Sequence, residues 1–147
     1  MYDVIGLVET HVGVDRVPDV HARAIAQGYN ACTNPAMKFR DSLGNHGGEL
    51  LLTARHTFSI PIDNIILENA RNANDETSRF ATTEVRYGQM SIIVVVAYFW
   101  CSEGFSAPNL AKLQQISVLL KQFRLPFVMF ADFNMEPEHI RQSGWLA

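Results

Sequence analysis

The sequence predicts an α/β protein of the α+β type, built as a sandwich of two mixed β-sheets with helices on the outside. Short apolar runs alternate along the chain with amphipathic stretches, which indicates interleaved strands and helices. The segments Phe80 to Arg86 and Met90 to Ala97 flank a turn at Tyr87-Gly88-Gln89 and predict an antiparallel hairpin. Because such a hairpin does not fit a doubly wound parallel sheet, the sequence favours the layered sandwich.

Before the hairpin, the patterns predict four strands and one helix. Val4 to Val8 is a short apolar run and predicts the first strand. The stretch Val14 to Gln27 has Pro18 near its start and Gly28 directly after it, which is typical of a helix. The other three predicted strands are Tyr29 to Thr33, Gly48 to Ala54, and Thr57 to Ile60. Because Gly48 to Ala54 is almost entirely apolar, we expect it at the centre of a sheet.

Two polar stretches interrupt these elements and are predicted to be loops. Asn34 to Asn45 is rich in turn-forming residues. Ile65 to Ser78 is the most polar part of the chain and predicts an exposed loop or insertion. Its alternative interpretation is a loop that contacts a substrate.

After the hairpin, the sequence predicts a long helix, a strand and a short helix. Ser106 or Asn109 can cap the start of the long helix, and Leu125-Pro126 ends it. Its apolar face comprises Leu110, Leu113, Ile116, Leu119, Leu120 and Phe123. Phe127 to Phe130 predicts a buried strand, and Glu138 to Gln142 predicts the last helix.

The end of the last predicted strand carries the most informative residues. The apolar run stops at Asp132, and Asn134 follows two residues later. In an extended chain these side chains leave on the same face, where a carboxylate and a carboxamide can hold a hard cation, a water or a phosphate oxygen. The alternative is an Asx-turn at the strand exit. Spacing alone leaves both interpretations open.

Two other strands end in polar groups. Val4 to Val8 is followed by Glu9, and the run ending at Ala97 is followed by Tyr98. Because strand ends cluster along one rim of a layered α/β fold, we expect these groups to lie near Asp132. His11 would share a strand face with Glu9 and could contact a ligand, although a surface histidine is the alternative.

Composition limits the classes of function. With 147 residues, 48% of them hydrophobic and 18% charged, the chain suits one globular domain. A net charge of −3 argues against a broad electrostatic nucleic-acid surface, although a bound divalent cation would supply positive charge locally. Cys32 and Cys101 lack zinc-type spacing. No apolar run reaches the ~18 to 20 residues of a membrane span, and the start shows no secretory signal, so an intracellular location is favoured.

Five segments, taken in order, resemble motifs of the endonuclease/exonuclease/phosphatase superfamily of metal-dependent phosphodiesterases. These are Val8-Glu9-Thr10-His11, the glycine pair of His46-Gly47-Gly48-Glu49, Val94 to Tyr98, Ala131-Asp132-Phe133-Asn134, and Ser143-Gly144-Trp145-Leu146. The first and last are most similar to retroelement-type endonuclease domains. The resemblance implies a four-layer αββα sandwich, which agrees with the layered fold predicted from the pattern.

The resemblance also implies roles for individual residues. Glu9 would bind a divalent metal, Mg²⁺ or Mn²⁺, and Asp132 would orient or activate the attacking water. Asn134 and Tyr98 would hold the phosphate, with His11 as a further substrate contact. The implied activity is phosphodiester hydrolysis, with DNA the first substrate to consider and phosphoinositide or sphingolipid head groups the others. The sequence does not indicate an oligomeric state.

Departures from the family pattern leave two alternatives open. Residues 1 to 147 lack the family's N-terminal strand bearing an Asn and its C-terminal Asp-His pair, which implies a partial domain. Ala131 replaces the usual Gly and Val8 a common Gln. The first alternative is a catalytically inactive relative that serves as a binding module or is a degenerate retroelement remnant. The second is an unrelated α/β protein with chance motifs.

Overall fold

Two β-sheets pack face to face, each with a helix on its outer side, in the computed structural model, which describes residues 2–38, 44–62, 80–101 and 103–145. The strands are β1 (Val4–Leu7), β2 (Tyr29–Asn34), β3 (Met37–Lys38), β4 (Asn45–His46), β5 (Glu49–Ala54), β6 (Phe58–Pro61), β7 (Phe80–Tyr87), β8 (Met90–Tyr98) and β9 (Phe127–Asp132). The helices are a 3₁₀ turn (Val14–Arg16), α1 (Val17–Ala26), α2 (Ala107–Phe123) and α3 (Pro137–Gln142).

The first sheet has the order β1-β5-β2, with both outer strands antiparallel to β5. This confirms the central position predicted for the apolar strand Gly48 to Ala54. Helix α1 lies against the outer face, where His21 Nε2 is 2.8 Å from Thr33 Oγ1. The polar stretch Asn34 to Asn45, predicted to be a loop, contributes the short antiparallel pair β3–β4.

The second sheet has the order β6-β7-β8-β9 and is mixed. Strands β7 and β8 form the predicted hairpin, with Tyr87 opposite Met90. Strand β9 runs parallel to β8, and α2 connects the two as a crossover. Such a connection is what parallel neighbours require, because a tight turn cannot join them.

Strand β8 is buried on both faces and serves two cores. Val94 and Val96 point toward the first sheet and pack with Leu51 and Val85. The alternate residues of the strand, Ile93, Val95 and Ala97, point toward α2 and pack with Leu113, Ile116 and Leu119. Since successive side chains of a strand leave on opposite faces, one apolar strand joins the sheet–sheet layer to the sheet–helix layer. The predicted four-layer αββα arrangement is confirmed.

Strand β9 differs from the prediction of a buried strand at Phe127 to Phe130. Within the described residues it pairs only with β8, and Phe127, Val128 and Phe130 are 43%, 43% and 45% exposed. An apolar run predicts a strand but does not say whether both of its edges and faces are covered. The correction is therefore one of position: β9 lies at a sheet edge.

The apolar face predicted for the long helix also needs a correction. Leu110 and Phe123 are exposed, whereas the polar residues Asn109 and Lys112 are completely buried. The helix follows Ser106, which occupies the N-cap position. Asn109 is thus an interior residue of α2 rather than its cap.

Two sequence predictions remain, one on the polar stretch Ile65 to Ser78 and one on membrane-spanning segments. The polar stretch Ile65 to Ser78 lies outside the described residues. In the part of the chain that the structure describes, every helix is too short or too polar to span a membrane.

Gly6 sets how closely the two sheets approach beside β1. A Cβ atom at this position would lie 2.7 Å from Val96 Cγ2 and 3.4 Å from Phe130 Cβ. A contact of 2.7 Å between carbon atoms is well inside the van der Waals separation, so a side chain here would push the strand away from β8.

We expect Gly6→Ala to lower the free energy of unfolding by about 1–3 kcal/mol, the usual cost of overpacking a core. Urea unfolding monitored by circular dichroism would measure it. Gly44→Ala is the matched control, because a Cβ there would meet no atom within 4 Å. Equal stability of the two variants would contradict the close approach at Gly6.

Candidate active site

Two of the predicted site residues lie side by side where parallel strands end. Tyr98 is the last residue of β8, Asp132 is the last residue of β9, and the two are paired in the strand register. Parallel neighbours are about 4.8 Å apart in the hydrogen-bonding direction. The hydroxyl-bearing residue and the carboxylate-bearing residue therefore share one rim of the second sheet.

Glu9 comes to the same rim from the first sheet, two residues beyond the end of β1. Its negative charge acts on the Tyr98 hydroxyl and disfavours loss of the hydroxyl proton. Burial is the main cause that raises the pKa of Tyr98 to about 12, and the negative charge of Glu9 and a hydrogen bond with Cys101 raise it further. Near neutral pH the hydroxyl therefore keeps its proton and can donate it in a hydrogen bond.

The backbone around this rim adopts a conformation that non-glycine residues rarely take. Among the described residues four non-glycine residues have a positive φ, and three of them are Glu9 (51°), His11 (54°) and Asn134 (48°). Such conformations cost energy and persist only where the surroundings enforce them, often at functional sites. They also correct the expectation from a period of two: neither the Glu9–His11 pair nor the Asp132–Asn134 pair lies on one face of an extended strand.

The glycine pair before β5, Gly47 and Gly48, forms backbone hydrogen bonds with the segment that follows Glu9. Gly48 O accepts a hydrogen bond from Thr10 N at 3.0 Å, and Gly47 O accepts one from His11 N at 2.9 Å. Gly48 has a φ of 93°, and a Cβ there would lie 2.7 Å from Thr10 Oγ1. The two glycines therefore let two backbone segments touch, and this contact holds the two residues that follow Glu9.

His11 has one ring nitrogen committed to the protein. Its Nδ1 lies 2.8 Å from Asn45 O, and Asn45 Nδ2 donates to His11 O at 3.3 Å. Because a carbonyl oxygen can only accept, Nδ1 carries the proton, and in the neutral ring Nε2 has the free lone pair. His11 is exposed, so Nε2 is accessible to a ligand.

Asp132 and Asn134 form the turn that was one of the two interpretations of their spacing. Asn134 N donates to Asp132 Oδ1 at 3.2 Å, and Asn134 Nδ2 donates to Phe99 O at 2.9 Å. Both residues are nevertheless exposed, and the carboxylate has a second oxygen. The turn therefore orients the Asp132 carboxylate at the rim without covering it.

Two polar residues of α2, Asn109 and Lys112, lie behind this rim and were not among the predicted site residues. The Lys112 ammonium donates to Tyr98 O, and Asn109 Nδ2 donates to Trp100 O at 3.2 Å. Their spacing with Ile116 and Leu119 continues the buried stripe of the helix by steps of three and four residues. Polar residues in register with an apolar stripe are the feature that could have identified them.

A cleft opens between the two sheets next to the rim. Its volume is about 460 Å³, and its lining consists of Gly6, Val8, Val96, Phe130, Ala131 and Asp132. The carboxylate of Asp132 is the charged group in this apolar lining.

The donors at the rim suit a hard divalent cation. Within the described ranges, no three His, Cys, Asp or Glu side chains converge as a metal cluster, so a zinc-type site is not built here. Mg²⁺ usually binds through one or two carboxylates and takes its other ligands from water and substrate oxygens. The exposed carboxylates of Glu9 and Asp132 are groups of this kind.

No family model matches the sequence, and no curated protein matches it. Solved structures do match. The human Nocturnin catalytic domain with bound sulfate anion is similar with a TM-score of 0.60 and 16% identity over 95% of this chain and 55% of that one. ANGEL2, a 2′,3′-cyclic phosphatase in complex with adenosine-2′,3′-vanadate, is similar with a TM-score of 0.58 and 17% identity over 92% of this chain and 40% of that one. D. rerio TDP2 complexed with single strand DNA product is similar with a TM-score of 0.53 and 14% identity over 97% of this chain and 52% of that one.

All three proteins belong to the endonuclease/exonuclease/phosphatase superfamily. The chain spans about half the length of these structures or less.

The high pKa of Tyr98 gives a prediction that does not depend on any activity. Tyrosine labelled with ¹³C at Cζ should show Tyr98 titrating near 12, above its ordinary value of 10. Because the folded state holds the proton more tightly than the unfolded chain, the resulting stabilisation is present below pH 10 and is lost as the pH rises to 12.

In Glu9→Gln the pKa of Tyr98 should fall but stay above 10, because burial is the larger cause. Asp19→Asn, which removes an exposed carboxylate on α1, is the control and should leave that pKa unchanged. A Tyr98 resonance that titrates alike in Glu9→Gln and in the unsubstituted protein would show that the carboxylate and the hydroxyl do not interact.

Proposed function

The chain has the fold of the endonuclease/exonuclease/phosphatase superfamily, and from that premise we propose that it is a Mg²⁺-dependent phosphodiester hydrolase domain of the endonuclease type. One observation carries this proposal: Tyr98 and Asp132 are paired at the ends of the parallel strands β8 and β9, and both Asp132 and Glu9 carry exposed carboxylates. A hydrogen-bond donor next to two exposed carboxylates is suited to a phosphate that arrives with a cation.

Tyr98 would hold the phosphate. With its pKa near 12 the hydroxyl donates to a non-bridging phosphate oxygen throughout the physiological range. A phosphodiester gathers negative charge on these oxygens as the attacking and leaving oxygens come into line. A fixed donor placed where that charge develops lowers the barrier without needing to reorganise.

Asp132 would accept the proton of the attacking water. Its carboxylate is exposed, and the hydrogen bond from Asn134 N fixes its orientation. Asn134 would contribute its amide to the phosphate while its nitrogen also donates to Phe99 O. The exposed Nε2 of His11 would serve as a further substrate contact, since Nδ1 already carries the proton given to Asn45 O.

Glu9 would hold Mg²⁺, or Mn²⁺ in its place, with further ligands from water and from the substrate. When bound, the cation would neutralise charge on the phosphate and on the leaving oxygen.

DNA is the substrate we propose first. D. rerio TDP2, which has the same fold, was solved with a single strand DNA product. The net charge of −3 means that binding would depend on local contacts to the phosphate and cation rather than on a wide basic surface. Phosphate esters other than nucleic acid fit the same rim and would be distinguished by assay.

A second candidate function is phosphoester binding without hydrolysis. It needs only the Tyr98 hydroxyl as donor and a cation at the exposed carboxylates of Glu9 and Asp132, without a base that acts on water. An inactive binding module would keep the Tyr98 donor but lack turnover.

Nicking of plasmid DNA with Mg²⁺ and with EDTA tests the first candidate. We expect metal-dependent nicking that falls by about 100-fold or more in Asp132→Asn and in Glu9→Gln, because each removes a group acting on the transition state. Asp19→Asn and Glu138→Gln, which alter exposed carboxylates on outer helices, should stay within about twofold of the unsubstituted protein.

Nicking that survives both site substitutions would contradict the roles of Glu9 and Asp132. If the unsubstituted protein does not nick DNA but binds a short oligonucleotide in a Mg²⁺-dependent manner, the binding module is the correct function. Absence of both hydrolysis and binding would exclude DNA as the substrate.

A further inference from the structure

Three consecutive backbone carbonyls at the end of β8 each accept a hydrogen bond from a polar side chain. The contacts are Lys112 Nζ to Tyr98 O, Asn134 Nδ2 to Phe99 O at 2.9 Å, and Asn109 Nδ2 to Trp100 O at 3.2 Å. We call the three donors, Lys112, Asn134 and Asn109, the carbonyl clamp. The segment they hold starts at the residue that carries the proposed phosphate donor.

The clamp replaces a sheet ladder that stops at this point. The last backbone bond between the two strands is Phe99 N to Asp132 O at 2.9 Å. The carbonyl groups of Tyr98, Phe99 and Trp100, which are wholly or partly buried, still need donors, because an unsatisfied buried polar group costs about 1–3 kcal/mol. Side chains from α2 and from the turn after β9 supply those donors.

The two helix residues of the clamp are completely buried and make several contacts each. Asn109 also accepts from Trp100 N at 2.9 Å and donates to Gly104 O at 2.8 Å. The Lys112 ammonium lies 5.5 Å from the centre of the Phe99 ring, a cation–π arrangement. A charged side chain is seldom kept in an interior where an apolar residue of similar length would pack.

We propose that Lys112 is a positioning residue for the phosphate-binding hydroxyl: its ammonium fixes the Tyr98 carbonyl and thereby the direction of the Tyr98 side chain toward Glu9 and Asp132. The inference rests on the proposed function for its consequence in catalysis, but the positioning itself can be measured separately. Asn109 supports it by fixing the next turn of chain at Trp100.

The geometry explains why the contact matters for the site. The Tyr98 side chain leaves the backbone at the residue whose carbonyl is held, so a rotation of that peptide unit moves the hydroxyl. Displacing a catalytic group by about 1 Å can cost on the order of 100-fold in rate. Lys112 therefore acts through Tyr98 without touching a substrate.

Lys112→Met is the test variant, because it keeps the length of the side chain and removes the donor and the charge. Its matched control is Lys121→Met, which changes an exposed lysine on the same helix. The readout is the ¹³Cζ spectrum of the four tyrosines. We expect the Tyr98 resonance to shift in Lys112→Met, the Tyr29 and Tyr87 resonances to stay in place, and no resonance to shift in Lys121→Met.

Kinetics separate positioning from a merely structural role. In Lys112→Met, kcat for phosphodiester hydrolysis should fall by about 10- to 100-fold while KM changes by less than about threefold. Lys112→Arg, which restores a cationic donor, should recover part of the loss in kcat. A loss of thermal stability with unchanged kcat below the melting temperature would overturn the proposal.

A second measurement covers the case in which Lys112→Met does not fold. In the unsubstituted protein, the ammonium protons of the three lysines are observed by ¹⁵N NMR. We expect slowly exchanging protons at Lys112 alone, with a through-bond coupling to the Tyr98 carbonyl carbon. Fast exchange at Lys112 or an unmoved Tyr98 resonance in a folded Lys112→Met would refute the positioning role. Either result is independent of whether the chain hydrolyses DNA.

Discussion

The burial of β8 on both faces is the constraint on which the rest of the structure depends. Val94 and Val96 hold the first sheet against it, while Ile93, Val95 and Ala97 hold helix α2 on the other side. A strand fixed from two directions has little freedom at its end, so Tyr98 leaves the core at a defined place. β9 pairs with β8 in parallel register, and this pairing carries Asp132 to the same place. The candidate site is thus a consequence of how the core is packed.

Polar contacts then fix the backbone next to the proposed site residues at that rim. The carbonyl clamp holds the end of β8, and the glycine pair holds the segment after Glu9 by backbone hydrogen bonds. Glu9, His11 and Asn134 adopt left-handed backbone conformations. Each device has a cost in desolvation or strain, and each lies within a few residues of a proposed functional group. Such costs are concentrated at one edge, in a domain whose other elements follow simple patterns, which supports the proposal that the site lies there.

The order of elements and the strand ends could be predicted from the sequence, because apolar runs and turn residues report local structure directly. The hairpin around Gly88 and the central strand at β5 are examples. Three other features could not be predicted from the sequence. The edge position of β9 depends on what lies beside it, the burial of Lys112 depends on a carbonyl 14 residues away in sequence, and the positive φ of Glu9 depends on its contacts with another loop. All three are properties of tertiary contacts, which residue spacing does not encode. The roles proposed for Glu9, Tyr98, Asp132, Asn134 and His11 remain predictions that the placement of these residues makes testable.

The edge position of β9 has a consequence for how the site would fail. Asp132 belongs to a strand that is held by one neighbour in the described structure, whereas Tyr98 belongs to the strand held by every layer. Native proteins open locally, and elements with few buried contacts open first. Fraying of β9 would separate the carboxylate from the hydroxyl while the two cores stay intact. Amide hydrogen exchange in β9 would then be faster than in β8, and the proposed site would come apart before the domain melts.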